Sequence, residues 1–209
     1  MNVTLDSWRR MWGELGAVAD EALFRRMVAA WSEPVRHYHS LQHLRECLEL
    51  LEAARDYAHR PASVALALWF HDAVYDPRAG DNEERSAQWA FEAVRAAGLS
   101  PKLGDSVHAL VMATKQHGPA QDPDTQLLVD IDLAILGAPP DRFAESTAQI
   151  REEYVHVPEP EWRVARARVV RGFLERPAIY VTPRFHAARE KQARHNLAAA
   201  LQALQAATG

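Results

Sequence analysis

The stretch Val64-Ala65-Leu66-Ala67-Leu68-Trp69-Phe70-His71-Asp72 decides how the chain is read. An unbroken apolar run closed by an imidazole and a carboxylate describes a helix that can bury its polar end only if something offsets the desolvation of the ionisable pair. A bound metal ion would offset it, and a hydrogen-bonded His-Asp pair in the core is the plainer alternative. Neighbouring helical residues point about 100° apart, so both side chains can converge on one ion from adjacent sides. Two other segments carry residues of the same chemistry: Tyr38-His39-Ser40-Leu41-Gln42-His43 at the start of a helical pattern, and Asp130-Ile131-Asp132-Leu133 inside a further apolar run.

Around these segments the period is helical throughout. Leu44, Leu48 and Leu51 fall at steps of three and four, as do Leu103, Val107, Leu110 and Val111, and Leu197, Leu201 and Leu204. Alternating strand patterns are scarce. Breaks near Gly16, Pro34, Pro61, Pro77 to Asp81, Gly98 to Pro101, Gly118 to Pro123, Gly137 to Pro140, Val157 to Pro160 and Pro177 to Pro183 divide the chain into roughly nine or ten helices. Pro61 and Pro101 suit a first helical turn, Ser100 and Asp141 suit N-caps, and the alanine-rich tail Ala198 to Ala207 favours helix. The expectation is an all-α fold. The 209 residues, 48% of them hydrophobic, suffice for one core, and no linker composition interrupts them, so one domain spanning 1–209 is expected.

Composition also excludes function classes. A formal charge of -4 argues against binding a nucleic-acid polymer or an anionic membrane, both of which call for a basic surface. No uncharged apolar stretch approaches the roughly 20 residues that span a bilayer. The sole cysteine, Cys47, has no internal partner, and the segment Met1 to Asp6 lacks a basic-then-apolar leader pattern, so the cytoplasm is the expected location. Oligomeric state is left open by the sequence.

An early His, a His-Asp pair closing an apolar helix and a later Asp on a further helix resemble the HD superfamily of metal-dependent phosphohydrolases. Tyr38-His39-Ser40-Leu41-Gln42-His43 is similar to the Tyr-His-Asn-x-x-His signature of cyclic nucleotide phosphodiesterases in that superfamily, and Asp132-Leu133-Ala134-Ile135 to their Asp-Leu-Ser-Ala helix. The chain as a whole looks closer to compact bacterial predicted HD phosphohydrolases. That likeness runs from about Trp8 to Leu201 and includes Arg36-His37-Tyr38-His39, Trp69 to Asp76, Asp81 to Ala87 and Arg176 to Tyr180.

The resemblance implies a helical HD-type domain that holds a divalent metal through His43, His71, Asp72 and Asp132. It assigns the ligand role to His43 and acid chemistry at the leaving group to His39; the reverse assignment is the alternative, since other HD proteins carry a single His in this segment. Asp132 and Asp130 stand about 200° apart on a helix, so only one can face the ion, and the resemblance favours Asp132. Two imidazoles with two carboxylates suit Mn, Fe, Co, Ni, Zn or Mg. His108 and His117 are candidates for a second ion. Glu83 or Glu84 either begins a helix or orients the attacking water. Lys115 and His117 either close a helix or hold phosphoryl oxygens.

The arginines of the last third should mostly be solvated, with Arg168 and Arg194 the better candidates for buried or substrate-facing roles by resemblance. His59, His186 and His195 read as surface residues, and the six tryptophans as core. The implied activity is hydrolysis of a phosphate ester or anhydride, with a nucleotide or related small phosphate as substrate and a metal-activated water as nucleophile. The alternatives are an HD-type diiron oxygenase and a non-catalytic, metal-stabilised nucleotide-sensing module.

Overall fold

Proline and glycine set the helix boundaries. The computed structural model describes residues 2–118 and 121–206; Pro119 and Ala120 of the expected Gly118 to Pro123 break, and Ala207 of the alanine-rich tail, lie outside the described residues. Among the described residues there are ten α-helices, two short 3-10 turns and no strand. The helices are α1 (Leu5–Glu14), α2 (Glu21–Ala30), α3 (Leu41–Ala53), α4 (Pro61–Phe70), α5 (Asn82–Ala96), α6 (Pro101–Met112), α7 (Pro123–Asp132), α8 (Pro140–Glu153), α9 (Glu159–Leu174) and α10 (Pro183–Ala206). The all-α expectation holds, and no described helix is long and apolar enough to cross a membrane.

Local chemistry explains most of the ends. Thr4 closes a capping box on α1, the Asp20 carboxylate accepts from Ala22 N at 2.7 Å, and Ser100 caps α6 ahead of Pro101. Gly98, at φ 74°, supplies the left-handed residue that ends α5. Asp141 does not cap α8. Pro140 holds the residue before it, Pro139, extended at ψ 147°, so the helix begins at Pro140 and Asp141 falls within its first turn.

The chain divides into two compact units between Ile131 and Asp132, at the last residue of α7. In the first unit α4 is the central element: every residue from Val64 to Phe70 is fully buried, and α1, α3, α5 and α6 all pack on it. This explains why its sequence has no polar face. Trp8, Trp12, Trp31 and Trp69 are buried as expected, with Trp8 edge-on to both Trp12 and Trp69.

The start of α4 is tied to the start of α7. Buried Asp124 accepts from His59 N at 2.7 Å, from Arg60 N at 3.4 Å and from Arg60 Nε at 2.9 Å, so a carboxylate on α7 caps α4 from outside it. Burial pushes the neighbouring Asp122 carboxyl up, but hydrogen bonds from Thr125 and the Arg60 charge outweigh this and hold it below its ordinary range.

In the second unit α10 packs on α9 and on the 3-10 turn Leu133–Gly137. Asn196 Nδ2 donates to Leu136 O and Ala138 O, both at 2.9 Å, and Tyr180 Oη donates to Leu133 O at 3.0 Å. Gly137 is required at the closest approach, because a Cβ there would lie 2.7 Å from Arg189 Cβ and from its carbonyl oxygen. The buried Glu190 carboxylate accepts from Ile179 N, Tyr180 N and Arg194 Nε. Arg194 also donates to the carbonyls of Leu174, Arg176 and Pro177, so its role is structural, and Arg168 is exposed rather than buried.

Candidate metal centre

The buried end of α4 is where the sequence places its ionisable pair, and each exposed carbonyl there has a donor. The Leu68 carbonyl accepts from His71 Nδ1 at 2.8 Å, Trp69 O from Trp31 Nε1 at 2.9 Å, and Phe70 O from Ala73 N at 2.9 Å. Just beyond, Arg36 donates to Asp72 O at 2.6 Å and to Ala73 O at 3.0 Å. Because a carbonyl can only accept, Nδ1 of His71 carries a proton, and Nε2 points to the opposite side of the ring.

His71 Nε2 faces two further side chains. His43, buried in the first turn of α3, places Nε2 3.1 Å from Nε2 of His71, while Asp72 Oδ2 lies 3.1 Å from His71 Nε2 and 3.8 Å from His43 Nε2. Asp132, half-buried at the end of α7, adds a carboxylate: the ligand atoms of His43, His71 and Asp132 all lie within 4.8 Å of one another. Ligands at about 2.0–2.2 Å from a common ion stand about 3–3.5 Å apart, a range that the two 3.1 Å separations at His71 Nε2 meet and the 3.8 Å separation of His43 from Asp72 exceeds. The donor set agrees, because imidazole nitrogens and carboxylate oxygens are the ligand types that divalent cations take. The group can hold a metal ion.

Other candidate residues take distinct places. Half-buried His39 stacks on Tyr75, with centroids 4.3 Å apart at 27°, and its ring lies 6.1 Å from that of His43. Ser40 has the extended backbone of an N-cap but makes no side-chain cap bond, leaving His43 inside the helix and His39 outside it. Glu83 and Glu84 occupy the first turn of α5. Glu84 pairs with Lys115, which also donates to Gly80 O at 3.0 Å. That hydrogen bond holds the Glu84 carboxyl below its ordinary value and raises the Lys115 ammonium above its own. His117 adopts φ 47° and its N–H closes the end of α6 on Ala113 O at 3.1 Å. His108 lies half-buried on α6.

Sequence reasoning passed over Trp31 and Arg36 as parts of this site. Both bind backbone carbonyls, which carry no side-chain signal; only their nearness to His39 and His43 along the chain hints at them. Comparison with protein-family models, curated proteins and solved structures gave no match.

Proposed function

We propose that the chain is an HD-type hydrolase that binds a divalent metal at His43, His71, Asp72 and Asp132 and cleaves a phosphate ester or anhydride of a nucleotide or related small phosphate. The observation that carries this reading is the convergence of buried His43 and His71 with Asp132, beside the Asp72 carboxylate, at the end of α4. A divalent ion held there would supply an acidified water and polarise a phosphoryl oxygen. His39, half-buried against Tyr75, would hand a proton to the leaving oxygen. Glu84 is engaged by Lys115, and Glu83 or Glu84, both in the first turn of α5, would orient the water. Lys115 offers positive charge to phosphate oxygens once its pairing with Glu84 loosens.

The test is metal analysis of the purified chain, followed by assay of nucleoside mono-, di- and triphosphates, cyclic nucleotides, guanosine tetraphosphate and an aryl phosphate with Mn, Fe, Co, Ni, Zn and Mg. Metal-dependent release of phosphate or pyrophosphate from at least one substrate is expected. A metal-loaded protein inactive on all of them would refute the reading, and oxygen uptake by an iron-loaded sample would favour the oxygenase.

A further inference from the structure

The Arg36 side chain is fully buried in the first unit, and the arrangement around it has no need of a charge for packing alone. A buried cation is costly unless paired, and the carboxylate recorded beside it, Glu33 at 3.0 Å from Nε, is itself half-exposed. The remaining donors go to backbone. Nη1 serves both His39 O at 3.1 Å and Asp72 O at 2.6 Å, and Nη2 serves Ala73 O at 3.0 Å. The rings of Trp31 and Tyr75 lie 5.5 and 5.4 Å from the guanidinium carbon.

One nitrogen thus joins the segment leading into His43 to the segment leaving His71 and Asp72. Resting on the metal reading proposed above, we infer that Arg36 is a positioning residue for the metal centre: its planar fork fixes the spacing between the two chain segments that carry the imidazole ligands. Metal sites tolerate ligand displacements of only about 0.2 Å in distance, whereas a bare fold tolerates far more. The fork is also what a lysine lacks, because a single ammonium cannot hold the same three carbonyls in one plane. The same contacts set His39 against Tyr75, since Arg36 binds the His39 carbonyl and lies beside the Tyr75 ring.

The experiment uses the full chain, stripped by chelator and titrated with Co2+, in the native form and as Arg36→Lys and Arg36→Gln. Val94→Ala, a buried truncation in α5, serves as a control for general destabilisation. Dissociation constant, the visible Co2+ absorption bands, far-ultraviolet circular dichroism and the melting point of the metal-free protein are recorded for each.

The positioning role predicts about 10-fold to 100-fold weaker Co2+ binding and altered visible bands in each folded Arg36 variant, with helical content retained. Val94→Ala should lower the melting point while leaving affinity and bands native. A folded Arg36 variant with native affinity and bands overturns the inference, as does failure of both variants to fold, which would make the role purely structural. A native chain that takes up no ion refutes the metal reading itself.

Discussion

Replacing Asp124 probes how the first unit holds α4 from the end opposite His71 and Asp72. The carboxylate is wholly buried and accepts a 2.7 Å bond from His59 N, a long 3.4 Å bond from Arg60 N and a 2.9 Å bond from Arg60 Nε. A hydrogen bond to a charged acceptor contributes about 1.5–3 kcal/mol, which covers the His59 bond. The Arg60 side chain is 44% exposed, so its ion pair is screened and adds only about 0.5–1 kcal/mol. With a few tenths for the long bond, Asp124→Ala should destabilise by about 2–4 kcal/mol. Asp124→Asn keeps one oxygen for His59 N and should lose about half of that.

For a chain of this size 1 kcal/mol moves the melting point by about 2–4 °C, so the alanine variant should melt about 4–16 °C lower. Urea unfolding followed by circular dichroism gives the free energy directly. A loss below about 1 kcal/mol for alanine, or equal losses for alanine and asparagine, would refute the assignment of Asp124 as an external cap.

Three other outcomes follow from the geometry. His43→Ala, like His71→Ala and Asp72→Ala, should lose bound metal while staying helical, whereas His39→Ala should keep the metal and slow turnover; elemental analysis with activity decides, and an ion retained by His43→Ala but lost from His39→Ala would reverse the two roles. Glu84, held below its ordinary 4.5 by Lys115, contributes stability that is present above pH 4.5 and lost as pH falls through the lower folded-state value; Lys115, raised above 10.5, contributes stability present below 10.5 and lost as pH rises through its folded-state value. The melting deficit of Glu84→Gln should therefore shrink on both limbs and be larger at low salt, and a deficit constant with pH would contradict the pairing. Glu190→Ala, which strips acceptors from Ile179 N, Tyr180 N and Arg194 Nε, should cost about 3–4 kcal/mol in urea unfolding, with Glu190→Gln milder.

Features that act through the local backbone were the ones legible in the sequence. Pro61, Pro101, Pro123, Pro140 and Pro183 each stand at the first residue of a helix, because a fixed φ and a missing N–H are tolerated there and almost nowhere else in a helix. His71 and Asp72 stood out because a polar pair ending an apolar run must find partners. Asp132 is in the group that could hold a metal ion, and Asp130 is buried on the same helix.

What escaped the sequence were contacts whose other half is backbone. Arg36 binds three carbonyls and Asp124 binds two backbone N–H groups, and every residue offers such groups, so no pattern marks the partner. The Glu84 to Lys115 pairing spans 31 positions and depends on how α5 and α6 pack. Asp141 failed as a cap because two consecutive prolines start the helix ahead of it.

The tie at one end of α4 and the candidate ligands at its other end turn the helix into a ruler. Inserting a single residue anywhere between Pro61 and Phe70 would push His71 about 1.5 Å further from Arg60 and swing it about 100° around the axis, aiming the imidazole away from His43. No substitution restores that phase. The length of α4 is therefore as much a property of the centre as the identity of its ligands, while the exposed loop residues Arg78 and Gly80, beyond the ruler, leave room for the chain to grow.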